Sequence, residues 1–116
     1  MDTRRDILRG FIKVHILFHA TEEPVYGSGL IEELGRHGYH VSPGTLYPLL
    51  HSMQEEGYLV SQQEVVAGKA RRYYRSTQLG KETLVDAQDK IRELVSEVLG
   101  PLPGDGPGDG REDGTL

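Results

Sequence analysis

The chain is organised around Ser42-Pro43-Gly44-Thr45-Leu46-Tyr47-Pro48-Leu49-Leu50-His51. Ser42 suits a helix N-cap and Pro43 the first helical position, where the N–H that proline lacks has no intrahelical partner anyway. Over about residues 44–56, Leu46, Leu49, Leu50 and Met53 share one side of the helix, and Tyr47, Pro48 and His51 fall outside that stripe. Pro48 removes a backbone donor, so the regular helix is expected to start nearer Thr45, leaving Pro48 in the first turn. Gly57 ends it. The result is a helix with a buried face and a polar outer face, entered through the short turn Tyr39-His40-Val41.

Upstream, residues 5–20 read as a helix with Ile7, Phe11, Val14 and Phe18 in one stripe and Leu8, Ile12 and Ile16 in the next. This apolar arc spans about half the circumference, more than the ~100° needed to cover one core. Two apolar faces call for two partners, and the second is expected to be another subunit. Pro24 breaks the chain over residues 21–25. Tyr26, Leu30 and Leu34 then mark a short second helix, stopped by Gly38 after His37.

Downstream, residues 58–66 and 71–76 are rich in β-branched and aromatic residues and flank Ala67-Gly68-Lys69-Ala70, which reads as the tip of a hairpin. The final helix, about 77–99, carries Leu84, Ala87, Ile91, Leu94 and Val98 in 3-4-3-4 spacing, a seam suited to a partner helix. The alternative is that it folds back on its own core; the two-faced first helix favours dimerisation.

At 116 residues the chain holds one domain with a tail. The boundaries read as 1–76 for a DNA-binding unit, 77–100 for a dimerisation helix and 101–116 for a disordered acidic tail carrying Pro-Gly-Asp-Gly twice. Net charge is −5, but the tail accounts for −3 of it, and Lys69-Ala70-Arg71-Arg72-Tyr73-Tyr74-Arg75 contains four cations and no acid. The absence of cysteine excludes disulfides, thiol nucleophiles and cysteine-ligated zinc. There is no apolar run of the ~20 residues a membrane span needs and no signal-peptide pattern, so a cytoplasmic protein is expected. With no glycine-rich phosphate loop and no nucleophile–base pair, an enzyme is not expected.

Helix, helix, turn, helix, hairpin, helix is the order of a winged helix-turn-helix: mainly α with a small β-hairpin, plus a C-terminal dimerisation helix. The third helix can enter the major groove while the hairpin reaches the flanking backbone. Ser42, Gly44 and Thr45, at the positive end of that helix, suit phosphate contact. Tyr47, Pro48 and His51 face outward, with Tyr47 and His51 the base-reading candidates. Lys69, Arg71 and Arg72 suit phosphate neutralisation on double-stranded DNA.

These residues resemble the PadR-like transcriptional regulators. Ser42 to His51 looks like that family's recognition-helix signature, and Glu55-Glu56-Gly57-Tyr58-Leu59 is similar to the stretch that leaves the family's recognition helix. Gly68 to Thr77, with Gly80, resembles its wing and the entry to its last helix, so the likeness covers about residues 5–99. It implies a homodimeric winged-helix repressor of the short, single-C-terminal-helix branch, often released from its operator by a small aromatic or drug-like effector. It also implies a dimer in which the last helix packs on the partner's first helix, with Phe11, Ile12, Leu84, Ile91, Leu94 and Val98 as interface candidates.

His15 and His19 stand at i, i+4, a spacing at which two imidazoles reach one metal ion, with Glu22 and Glu23 close behind as oxygen donors. They are the ligand candidates for a divalent metal in a metal-responsive version of the same fold. The plainer alternative is two half-buried histidines at an interface. A further alternative for the whole chain is a winged-helix module that binds protein, to which its acidic total charge points.

Overall fold

The computed structural model describes residues 2–101, so the expected disorder of 101–116 lies outside it except at Pro101. In chain order the elements are α1 (Thr3–Glu22), β1 (Val25–Tyr26), α2 (Gly27–Arg36), α3 (Pro43–Glu55), β2 (Leu59–Val66), β3 (Lys69–Ser76) and α4 (Gln78–Val98). Contacts divide the chain at residue 85, and α4 contributes to both units.

In the first unit, Asp2 caps α1 by accepting the Arg5 N–H at 3.1 Å. Ile12, Ile16 and Leu17 of α1 pack with Leu30 and Leu34 of α2 and with Leu46, Leu50 and Met53 of α3 in one core. Leu59, Tyr74 and Leu84 close it. Burial of these side chains is the main force holding the helices together, at about 1.5–3 kcal/mol each. The stripe read on the third helix is therefore the buried one.

Four departures from the sequence reading have physical causes. First, Val25–Tyr26 forms a strand, so the hairpin is part of a three-stranded antiparallel sheet of order β1-β3-β2, with Val25 opposite Tyr74 and Tyr26 opposite Tyr73. Second, the hairpin turn is only Ala67-Gly68. Val66 pairs with Lys69, and both turn residues have positive φ, 52° and 78°. That is the primed geometry a two-residue hairpin requires.

Third, α3 starts at Pro43, which places Pro48 inside the helix rather than in its first turn. The i+4 donor to the Gly44 carbonyl is thereby absent, and the first-turn residues around that carbonyl are solvent-facing. Fourth, Ile12 and Leu84, read as dimer contacts, are buried in the protomer's own core. Periodicity marks an apolar face but does not say which neighbour covers it.

Thr77 caps α4, accepting the Gly80 N–H at 3.0 Å and donating to the Gly57 carbonyl at 2.6 Å. Gly80 is buried directly against the Tyr58 carbonyl, an approach that only glycine permits. In the second unit, from Asp86, Ile91, Leu94 and Val98 lie exposed along α4, with Leu94 49% accessible. The described chain is a winged helix-turn-helix of four helices and a three-stranded sheet.

Candidate nucleic-acid interface

The outer face of α3 is set by its inner one. With Leu46, Leu49, Leu50 and Met53 buried, Thr45, Tyr47, Pro48 and His51 are left exposed, as are Ser42 and Gly44 at its start. Ser42 does not cap through its side chain; its carbonyl accepts the Thr45 and Leu46 N–H groups, and its hydroxyl donates to Thr45 Oγ1 at 3.3 Å. Pro43 has no N–H, which leaves the Gly44 amide as the outward-facing donor of the first turn. His51 pairs at 3.3 Å with Glu55 one turn on.

Tyr47 has two roles. Its ring is 46% exposed, yet the hydroxyl end sits so tightly against Gly27, the first residue of α2, that a side chain there fits only if the Tyr47 ring moves away. On the other side of that junction, the Arg71 guanidinium lies 4.3 Å above the Tyr26 ring, a cation–π contact. Tyr26 also meets Tyr73 edge-on. The Tyr26-Gly27 dipeptide is thus a platform that brings the basic strand and the recognition helix to one place.

A second tie runs through polar groups. Arg72 donates to Ser61 Oγ at 3.1 Å, and the Ser61 hydroxyl donates in turn to Gln54 Oε1 on α3. This chain sets the wing against the helix. Arg75 is spent internally on Glu64 at 3.0 Å, whereas Lys69 and Arg72 remain exposed. Tyr26, Gly27, Gln54 and Ser61 were missed in the sequence, because nothing local marks a residue that is touched from a distant element.

The two histidines separate. His19 meets Glu33 of α2 and His37 at that helix's C-cap, and the ligating atoms of all three lie within 4.8 Å of one another. His15 instead stacks on His37 with ring centroids 5.1 Å apart, and meets Tyr39 edge-on at 5.1 Å. Burial pushes the His15 imidazole below its usual range, and the neighbouring His37 and His19 push it further. The Arg36 hydrogen bond holds the Glu33 carboxyl low, with burial opposing and His37 assisting. Glu22 and Glu23, the oxygen donors suggested by adjacency, are exposed and outside this cluster. Glu33 and His37, missed in the sequence, repeat the i, i+4 spacing, the signal that could have marked them.

A shallow pocket beside the platform is lined by Pro24, Val25, Tyr26, Gly29 and Leu30 together with His19, Glu22, Glu23 and Glu33. No described helix is long and apolar enough to cross a membrane.

The sequence matches the family described as "Transcriptional regulator PadR-like family" over residues 16–86. It is 50% identical over 96 residues to "Transcriptional regulator Rv3488" of Mycobacterium tuberculosis, covering 83% of this chain and 90% of that protein. A PadR-like transcriptional regulator of Bacillus cereus superposes with a TM-score of 0.77 at 33% identity, covering 85% of this chain and 98% of that one. A PadR family regulator of Eggerthella lenta gives 0.71 at 30% identity, covering 83% and 85%. The chain belongs to the PadR-like family of DNA-binding transcriptional regulators, and is not an enzyme.

Proposed function

We propose that this chain is a homodimeric repressor of a pseudo-palindromic operator, acting in the cytoplasm and released by a small aromatic effector. The observation that carries the reading is the Tyr26-Gly27 platform, on which Arg71 of the wing and Tyr47 of the recognition helix converge. Ser42, Gly44, Thr45, Lys69, Arg71 and Arg72 hold phosphates; Tyr47, Pro48 and His51 meet base edges. Occupying the operator is enough to block transcription. The exposed seam Ile91, Leu94 and Val98 is a surface a second copy covers, and exposed Phe11 on α1 is another. An aromatic effector seated against Tyr26 in the adjoining pocket disturbs the platform directly.

Selection of bound duplexes from random DNA tests this reading. A two-fold symmetric consensus is expected. Tyr47→Ala then lowers preference for that consensus over random duplex by about tenfold, within the ~1–3 kcal/mol that a base contact discriminates. Equal loss on both duplexes contradicts a base-reading role.

A further inference from the structure

We propose that His19, Glu33 and His37 form a binding site for a divalent transition metal of the zinc class, and that filling it tunes DNA binding. The second half rests on the function proposed above; the first does not.

The site is built from two elements. His19 lies in the last turn of α1, Glu33 near the end of α2, and His37 is the C-cap of α2. His37 Nε2 is 3.0 Å and His19 Nε2 3.7 Å from the same oxygen, Glu33 Oε2. Neighbouring ligand atoms in a tetrahedral zinc site with bonds of about 2.0–2.2 Å stand about 3.3–3.6 Å apart, so these separations bracket the required range. Two imidazoles and one carboxylate suit zinc and its first-row neighbours, whereas calcium and magnesium prefer all-oxygen shells.

The surroundings orient this set. Arg36 binds the other carboxylate oxygen, Oε1, leaving Oε2 turned toward the histidines. His15 stacks on His37 and, with ring planes 10° apart, on His19. His15 lies outside the group whose ligating atoms are all within 4.8 Å of one another. It is therefore a neighbour that packs against the two ligand rings and not a ligand. His19 and Glu33 also border the pocket beside Tyr26, so the fourth position faces a surface that a water or an exogenous ligand can reach.

The location gives the regulatory consequence. After His37 the chain turns at Gly38, φ +89°, where the Tyr39 N–H bonds the Leu34 carbonyl, and five residues later α3 begins. A metal joining α1 to the end of α2 fixes the point from which the recognition helix departs.

The test titrates zinc(II) into chelator-treated, untagged, full-length protein by calorimetry, with magnesium(II) as control. One zinc per chain is expected, with no magnesium binding. His37→Asn and His19→Ala weaken zinc binding by about 100-fold or more, while His15→Asn costs about tenfold, as outer-sphere partners do. His37 is exposed, so its variant keeps the fold even if His19→Ala does not. Cobalt(II) should give the intense visible bands of tetrahedral coordination in wild type and lose them in His37→Asn. Absence of stoichiometric zinc binding, or unchanged affinity in His37→Asn, overturns the site. Operator affinity, measured by anisotropy with and without zinc, is expected to change about tenfold, inside the ordinary range of allosteric coupling. Zinc binding with identical operator affinity overturns the regulatory half. Failure to bind any selected DNA, with the zinc isotherm intact, overturns the proposed function and leaves the metal site standing.

Discussion

Two glycines that are crowded to the same degree should answer the same substitution in opposite ways. A Cβ at Gly27 would lie 2.7 Å from Tyr47 Cε1 and nearer still to the ring's Cζ and Oη. A Cβ at Gly80 would lie 2.5 Å from Ser76 Oγ, 3.3 Å from the Tyr58 carbonyl carbon, and nearer still to its oxygen. Both demand about 1.2–1.9 Å of movement to restore ordinary contact distances of about 3.5–4.0 Å. At Gly27 the obstacle is a half-exposed side chain that can swing outward. At Gly80 it is the backbone leading into β2, fixed where the Thr77 N–H bonds the Tyr58 carbonyl at 3.0 Å. Gly80→Ala is therefore expected at the upper end of overpacking, about 3 kcal/mol. At about 4–8 °C per kcal/mol, that lowers the melting temperature by roughly 12–24 °C.

Gly27→Ala costs about 1 kcal/mol, largely offset by the better helix propensity of alanine, so its melting temperature moves by no more than about 4 °C. Its operator preference falls all the same, because Tyr47 is re-aimed. Thermal melts followed by circular dichroism, with anisotropy on selected and random duplexes, measure both effects. Equal destabilisation by the two variants, or full operator preference in Gly27→Ala, refutes the assignment of Tyr47 to this contact.

The same packing sets two further outcomes. Ala67, held at φ 52°, spends about 1 kcal/mol on a conformation asparagine adopts more readily, so Ala67→Asn should raise the melting temperature by about 4–8 °C. Leu94→Asp should leave the helical signal intact but shift the mass of the proposed dimer to monomer in sedimentation, because a carboxylate on the seam that the second copy would cover costs about 3–5 kcal/mol, more than 100-fold in dimer affinity.

Much of this was legible from sequence because it is local. The Leu46–Met53 stripe, the Gly38 and Gly57 stops, and the strands flanking Gly68 each depend on neighbours within a few positions. Two-residue β1 has no room for alternation to appear. Ile12 and Phe11 carry the same apolar signal, yet one is buried in the protomer and the other exposed, a difference made by which element packs where. His15 and His19 announced themselves as a pair, but the fold gives His19 to Glu33 and His37 and leaves His15 as a stacking surface. That exchange depends on how α1 meets α2, which spacing along either helix does not encode.

The salt dependence of operator binding in wild type and in the Lys69→Ala/Arg71→Ala variant is the most direct examination of the interface. Each phosphate contact contributes about 0.9 to the slope of log K against log salt. Loss of two contacts per chain should flatten that slope by about 1.8 per chain, or about 3.6 for a two-fold complex. Parallel lines for the two proteins would place the wing away from the DNA and contradict the account.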